Sequence, residues 1–351
     1  MEQKHKRRIH YSGKYPRKYE EKYKEHDPER YAETVSHVIK KGSTPAGMHI
    51  SIMVDEILSV LAICPGQKGL DATRGYGGHT QKMLECLQGK GHLTALDVDP
   101  IESVKTEARL RKLGYGPEIL SVRHINFAMA DQIAEQDGPF DFILADLGVS
   151  SMQIDNPERG FSYKTDGPLD LRMDPLKGDS AAMRLLSITQ EEFAGMLEEN
   201  ADEPYAMEIA DEVYKAIREG KSITRTSQLR RLIEQALWNI KDLSVADRKE
   251  EVKKSCQRTF QALRIDVNSE YEVLYEFLQK LPQLLAPGGR VAILTFHSGE
   301  DRLVKKAFKL GKKEGVYQDA SKDVIRPGRD ECIRNSRAKS AKLRWAVRAG
   351  I

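Results

Sequence analysis

The segment DATRGYGGHT, residues 71–80, decides the fold because it places a glycine-rich loop between an apolar run and a helical pattern. A strand, a glycine turn and a helix in this order predict a nucleotide site. The dinucleotide fingerprint at such a turn is G-x-G-x-x-G. Gly75 and Gly77 supply its first two glycines, but Thr80 stands at the third position. Asp71 also precedes the first glycine, so the loop departs from the dinucleotide pattern.

Strand patterns alternate with helical patterns on both sides of the loop. Such alternation predicts a parallel sheet covered on both faces by helices, with ligands at the carboxyl ends of the strands. From about 180 to 255 the pattern is only helical, which predicts an α/β, Rossmann-like sheet with an inserted all-helical domain. The strands are predicted at 68–73, 92–99, 118–125, 140–148 and 290–296.

The chain accordingly divides into four predicted segments. They are a basic, tyrosine-rich N-terminal arm at 1–45, the first part of the sheet domain at 46–155, an inserted helical domain for substrate recognition at 156–258, and the second part of the sheet domain with a basic C-terminal segment at 259–351. The tyrosines of the arm stand among basic residues, which suits either stacking on unpaired bases or a flexible tail.

Composition excludes several classes of protein. The chain has 351 residues, of which 40% are hydrophobic, and no apolar run long enough to span a membrane. Its basic start, MEQKHKRRIH, lacks the apolar stretch of a signal peptide. The four cysteines are far apart and form no C-x-x-C, which predicts reduced thiols rather than disulfides or a zinc site. We therefore expect a cytoplasmic protein that needs neither a metal nor a membrane.

Basic residues concentrate at both ends of the chain, although the net charge is only +3. Residues 302–351 hold 15 Lys or Arg against 5 Asp or Glu, and residues 1–45 hold 12 against 7. Such ends suit either a polyanion such as RNA or a solvated surface. The alternation in KLRWAVR predicts a strand with Lys342, Arg344 and Arg348 on one face, which is either an RNA-facing edge or purely structural.

Three acidic residues stand at the ends of predicted strands: Asp71 at the first, Asp97 at the second and Asp146 at the fourth. A dinucleotide would bring a pyrophosphate to the loop and the helix N-terminus. S-adenosylmethionine has no phosphate and carries a positive sulfonium, so its site tolerates carboxylates. An acid at the end of the second strand can accept both ribose hydroxyls. The sequence therefore favours methyl transfer over hydride transfer.

Longer segments make a resemblance specific. They are DLGVSSMQIDNPERGFSYKTDGPLDLRMDP (146–175), RTFQALRIDVN (258–268), FHSGEDR (296–302) and RNSRAKSAKLR (334–344). Together they resemble the bacterial ribosomal RNA small subunit (16S) cytosine-N4 methyltransferase family, over about residues 49–347. The resemblance implies a methyltransferase core interrupted by a helical domain. It also implies S-adenosylmethionine as cofactor and small-subunit ribosomal RNA or a ribosomal particle as partner.

The same resemblance implies the residues of the site. Loop contacts to the cofactor would come from Gly77, Gly78 and His79, the ribose contact from Asp97, the adenine contact from Phe127, and contacts near the methionine end from Asp146 and Gln153. Candidates for catalysis or for the target pocket are Asp146, Asp170, Arg172 and His297. Asp146 has two open roles, because it could contact the cofactor or accept from the target amine.

The expected reaction needs alignment more than a strong base. The exocyclic amine of cytosine is a poor nucleophile because its lone pair is delocalised into the ring. The sulfonium supplies the driving force, so the protein mainly aligns the amine and holds its hydrogens. Two other functions remain open at this point. One is an amino-methyltransferase acting on DNA cytosine or adenine, and the other is a ribosome-binding protein without enzymatic activity.

Overall fold

The computed structural model describes residues 51–238, 240 and 244–350. The predicted N-terminal arm lies outside these residues. The strands within them are β1 (Lys68–Asp71), β2 (His92–Asp97), β3 (Leu120–His124), β4 (Phe140–Asp146), β5 (Leu285–Thr295), β6 (Tyr317–Ala320) and β7 (Lys342–Arg348). They form one sheet in the order β3-β2-β1-β4-β5-β7-β6.

The first five strands pair in parallel, whereas β7 runs antiparallel between β5 and β6. This arrangement confirms the predicted α/β, Rossmann-like sheet. Two details differ from the sequence prediction. The β5 strand begins at Leu285 through an irregular register near Phe140, because the APGG segment continues the ladder instead of forming a separate turn. The short β6 strand was not predicted, since YQDA offers only a few residues of pattern.

Helices account for most of the remaining described chain. They are α1 (Val54–Leu61), α2 (Gly78–Leu87), α3 (Pro100–Lys112), α4 (Ala130–Asp137), α5 (Ser151–Asp155), α6 (Ala181–Ser187), α7 (Gln190–Ala201), α8 (Ala206–Arg218), α9 (Thr226–Trp238), α10 (Val245–Val267), α11 (Glu270–Leu284), α12 (Ser298–Lys313) and α13 (Arg329–Arg334). Within the described part of the chain, no helix has the length and apolar character to cross a membrane.

Both faces of the sheet are covered, as the apolar strand patterns predict. On β4 the side chains alternate between the two faces. Ile143 lies in one buried cluster with Phe277 of α11 and Phe308 of α12. Leu144 lies in the other cluster with Met83 of α2. The sheet is therefore a buried layer whose polar groups are concentrated at the strand ends.

The helices α6–α10 pack around a third apolar cluster, which includes Phe193, Val213, Ile233 and Leu263. The long helix α10 continues through the RTFQALRIDVN motif up to Val267. The predicted domain boundary at residue 258 therefore falls inside one continuous helix. Its carboxyl half connects the helical cluster to the returning sheet segment.

We predict that Gly69→Ala destabilises the sheet. Gly69 of β1 lies opposite Phe142 of β4, and an added Cβ would overlap the Phe142 ring. The ring must move in a packed core, which should lower the free energy of unfolding by about 1–3 kcal/mol in urea titrations.

The matched control is Gly195→Ala in α7, where an added Cβ meets no atom within 4 Å. That substitution should raise stability by about 0.5–1 kcal/mol because alanine favours the helix. Equal stability of Gly69→Ala and the unsubstituted protein would show that Phe142 does not cover the glycine.

Candidate functional site

The three predicted strand-end acids lie on three neighbouring strands. Asp97, Asp71 and Asp146 are the last residues of β2, β1 and β4, which are adjacent in the sheet. Parallel strands bring their carboxyl ends to one edge, so the acids share the edge at which α/β sheets bind ligands. The glycine loop of residues 74–78 leaves β1 at the same edge.

Two glycines of the loop, Gly77 and Gly78, have no room for a side chain. Gly77 has φ +78°, and a Cβ there would lie 2.8 Å from Thr106 of α3. A Cβ at Gly78 would overlap the Ser51 hydroxyl. The α3 helix also holds the loop down, since the Thr106 hydroxyl donates to the Gly75 carbonyl at 2.9 Å. The Arg109 guanidinium lies 4.0 Å from the Tyr76 ring centroid. The loop is thus a preformed surface that allows close backbone approach.

Asp97 holds the loop from the other side. One carboxylate oxygen accepts from the Gly75 amide at 2.6 Å, and the other accepts from the Asp99 amide at 2.8 Å. Burial raises the pKa of Asp97, although these amides and the charge of Arg74 oppose the shift. An ionised carboxylate has about four acceptor positions, so two remain for hydroxyl donors. This geometry suits the predicted ribose contact.

Asp71 is fully buried beneath the loop. It accepts from the Thr80 hydroxyl at 2.6 Å and from the Thr73 amide at 3.2 Å. Burial raises its pKa to about 6, even though these hydrogen bonds favour the ionised form. Burying this carboxylate therefore costs folding free energy. Thr80, which replaces the third fingerprint glycine, supplies its side-chain hydrogen bond.

His79 and Asp146 form a buried pair. The Nε2 atom of His79 lies 2.9 Å from the Ile52 carbonyl, and Nδ1 lies 3.3 Å from Oδ2 of Asp146. Both neighbours are acceptors, so the ring is best satisfied when both nitrogens carry a proton. Burial alone would lower the pKa of His79, but the hydrogen bond and charge of Asp146 raise it. His79, which was predicted to contact the cofactor from the loop, therefore donates to the Asp146 carboxylate.

The other oxygen of Asp146 is an open acceptor. Oδ1 is buried and has no hydrogen-bond donor among the described residues. The backbone amide of Asp146 donates to the Thr73 hydroxyl at 2.6 Å, and this hydrogen bond fixes the end of the strand. A buried carboxylate oxygen without a donor is costly, and a ligand that brings an N–H or O–H group would satisfy it.

A buried ion pair that the sequence did not reveal joins this edge to the following segment. Arg159 donates to Asp99 at 2.6 Å and also to the carbonyls of Arg172 and Met173. Gln153 donates to the same Asp99 oxygen at 2.7 Å. Its own oxygen accepts from the Ser150 amide at 2.8 Å. Gln153, predicted to lie at the methionine end, thus has both ends of its amide engaged within the protein.

Asp170 and Arg172 satisfy each other. The Asp170 carboxylate accepts from Nε of Arg172 at 2.7 Å and from Nη2 at 2.8 Å, and Nη1 donates to the Gly178 carbonyl at 2.9 Å. Neither side chain is therefore a free base or a free phosphate ligand.

Phe127 follows β3, as predicted for an adenine contact, and packs edge-on against Phe277 with ring centroids 5.1 Å apart.

His297 belongs to a buried charged cluster. Its Nε2 atom lies 3.2 Å from Glu300, and ligand atoms of Glu270, His297 and Glu300 lie within 4.8 Å of one another. Three such groups could in principle bind a cation. However, Arg264 already donates to both Glu270 oxygens, at 2.7 and 2.9 Å. The Arg264 ion pair thus already satisfies Glu270, whereas the catalytic role of His297 stays a prediction.

The predicted RNA-facing edge of β7 is wrong in this structure. Arg344 is only 4% exposed, and its guanidinium donates to Asp301 at 2.7 Å. Lys342 lies 4.0 Å from the same carboxylate. Arg348 donates to the Leu285 carbonyl. The basic face of β7 is therefore turned toward partners within the fold, chiefly Asp301 of α12.

We predict that Asp71→Asn flattens the pH dependence of stability. A folded-state pKa of about 6, above the ordinary 3.8, means that the native state holds its proton more tightly. Stability from this group is full below pH 3.8 and is lost as the pH rises through about 6, by about 3 kcal/mol. In urea unfolding from pH 4 to 8, the variant should lack this loss, whereas the exposed-residue control Asp55→Asn should retain it. A loss of equal size in Asp71→Asn would refute the assignment.

We also predict strong coupling between Asp99 and Arg159. Arg159→Met leaves a buried carboxylate without its partner and should cost about 3–5 kcal/mol of unfolding free energy. Asp99→Asn removes that charge, so the double variant should recover at least about 1 kcal/mol relative to Arg159→Met alone. Additive losses in the double-mutant cycle would show that the pair does not interact.

Comparison with known proteins agrees with this geometry. The model of the MraW methylase family matches residues 46–349. A "Ribosomal RNA small subunit methyltransferase H 1" from Agathobacter rectalis is 64% identical over 99% of each chain. A protein of the same name from Lachnoclostridium phytofermentans is 62% identical over 99% of this chain and 94% of its own length. A "Ribosomal RNA small subunit methyltransferase H" from Thioalkalivibrio sulfidiphilus is 40% identical over 87% of this chain and 98% of its own.

These matches confirm the family resemblance inferred from the four sequence segments. They also confirm the predicted cofactor, S-adenosylmethionine. The match spans the sheet and the helical insertion together, from before α1 to the end of β7. The chain belongs to the MraW methylase family.

Proposed function

We propose that this chain transfers the methyl group of S-adenosylmethionine to the N4 amine of a cytosine in small-subunit ribosomal RNA. The observation that carries the proposal is the state of Asp146. One of its oxygens is paired with His79, and the other is buried without a donor. An exocyclic amine supplies the missing N–H group. The three relatives are each named as a methyltransferase of small-subunit ribosomal RNA, which supports the choice of substrate.

The charge of the edge suits the cofactor. Asp71, Asp97 and Asp146 surround the loop with three carboxylates, and two buried cations, His79 and Arg74, lie beside them. A positive sulfonium is attracted to such an edge, whereas a pyrophosphate would be repelled. Asp97 would accept hydrogen bonds from the ribose hydroxyls, and the backbone of the glycine loop would pack against the nucleoside.

The transfer requires no covalent intermediate. S-adenosylmethionine would supply an electrophilic methyl group: the amine nitrogen would bond to the methyl carbon as the carbon–sulfur bond breaks, leaving S-adenosylhomocysteine and a positively charged amine. Oδ1 of Asp146 accepts an amine hydrogen while this charge develops, and the surplus proton passes through it to water. His79 keeps the second oxygen of Asp146 in place. The base must be unpaired or flipped out to reach the methyl group.

Other methylated atoms fit the site less well. Methylation at carbon 5 of cytosine would need a cysteine thiolate to attack the ring. Cys256 is buried in the helical cluster, where burial raises its pKa to about 12. The remaining cysteines lie in or beside α1, α2 and α13, and none belongs to the segments that directly follow β4 and β5. Ribose methylation commonly uses a lysine as base, and residues 146–153 contain none.

The direct test identifies the methylated nucleoside. Small-subunit particles, their RNA and a DNA of matched length are incubated with the protein and labelled S-adenosylmethionine, then digested to nucleosides. The expected product is N4-methylcytidine from the particle or its RNA. Label in 5-methylcytidine or in a ribose-methylated nucleoside would refute the proposed atom. Label in DNA alone would refute the substrate, and no transfer at all would favour a binding protein.

Asp146→Asn separates the two roles of that residue. Loss of an acceptor that acts on the target amine should lower the rate of transfer by about 10²–10³-fold with little change in cofactor affinity. A loss confined to cofactor affinity would assign Asp146 to the cofactor instead. Asp141→Asn is the matched control, because Asp141 lies at the opposite end of β4 and accepts from the Lys68 amide.

A further inference from the structure

The α12 helix separates its charges by sign. It begins directly after β5, the strand beside β4, so its first turn lies at the edge that holds the acids. Its two acidic residues both face inward. Glu300 is 3% exposed and accepts from the Phe296 amide, and Asp301 pairs with Arg344 of β7. The inner side of the helix is completed by Val304 and Phe308 of the sheet core.

Every charged residue on the outer side of α12 is basic. At 100° per residue the basic positions fall within about a third of the helix circumference, in rows whose members are about 5–6 Å apart. These exposed residues, which we call the α12 basic face, are Arg302, Lys305, Lys306, Lys309, Lys312 and Lys313. In the part of the chain that the structure describes, Lys312 is the member with an ion-pair partner, Asp319 at 2.6 Å.

Several other exposed basic residues pair with nearby acids. Lys82 pairs with Glu85 at 2.7 Å, Lys221 with Glu219 at 2.8 Å, and Lys253 with Glu250 at 3.4 Å. Such pairing is typical of a helix surface that only meets solvent. Six basic residues in one face of a chain with net charge +3 therefore form a concentrated positive field. The adjacent α11 exposes Glu272 and Glu276, so this field does not extend across that helix.

We propose that the α12 basic face binds the phosphate backbone of the RNA and leads it to the edge where methyl transfer occurs. This inference rests on the proposed function. Lysines are compact point charges that contact phosphates without reading sequence, so the face positions the RNA and leaves the choice of base to the site. The C-terminal positive charge expected to meet RNA is thus presented by α12, while the basic residues of β7 neutralise Asp301.

The test compares two triple variants of the full chain. The first is Lys305→Gln with Lys306→Gln and Lys309→Gln. The second, the control, is Lys82→Gln with Lys221→Gln and Lys253→Gln, which removes the same charge from paired sites. Binding of a labelled small-subunit ribosomal RNA transcript is measured at several salt concentrations. Binding of S-adenosylmethionine reports whether each variant is folded.

The α12 variant should bind the transcript about tenfold more weakly, and its log–log salt slope should fall by about two to three units, one per lost phosphate contact. The control should keep the slope, and both variants should keep their cofactor affinity. An unchanged slope in a folded α12 variant would overturn the inference. Weaker binding to the assembled particle with unchanged binding to the transcript would also overturn it, because the partner would then be a ribosomal protein.

These outcomes are separable from failure of the proposed function. If the unsubstituted protein methylates small-subunit RNA and the α12 variant matches it in binding and rate, only the α12 assignment fails. If the unsubstituted protein transfers no methyl group but its binding to the transcript depends on α12, the proposed reaction fails and the basic face stands.

Discussion

Burying carboxylates at one edge of the sheet is the constraint on which the rest of the structure depends. Burial raises the pKa of Asp71 to about 6, and the hydrogen bond from the Thr80 hydroxyl opposes this rise. Asp97 organises the glycine loop through the Gly75 amide, and Asp146 recruits the ring of His79. Each carboxylate costs stability by itself, so each is tied to donors that also shape the site.

The same principle couples the cofactor edge to the segment that follows β4. Asp97 accepts from the Asp99 amide, and the Asp99 side chain accepts from Arg159 and Gln153. Arg159 then donates to the carbonyls of residues 172 and 173. One continuous set of buried hydrogen bonds therefore runs from the expected ribose contact to the loop that holds the Asp170–Arg172 pair.

Charge is also sorted between the interior and the surface. Asp301 lies inside and takes the charge of Arg344, while the lysines of the same helix stay outside. A basic strand in the middle of a sheet is tolerable only because this carboxylate faces it. The arrangement leaves α12 with a positive outer face and gives β7 a purely structural charge.

The sequence by itself determined the alternation of strands and helices along the chain, the glycine loop and the family. It also determined that Asp71, Asp97 and Asp146 stand at strand ends. These features are local, because strand periodicity and motif spacing are set by neighbouring residues. Only the tertiary structure decided which side chains were free. Asp99 and Arg159, Asp301 and Arg344, and Arg264 and Glu270 meet through the fold, most of them across long stretches of chain. Alternation in β7 showed which residues share a face, but whether that face meets solvent depends on α12, whose Asp301 packs against it. That is why the loop and its acids were predicted, whereas Arg344 was assigned to RNA although Asp301 pairs with it inside the fold.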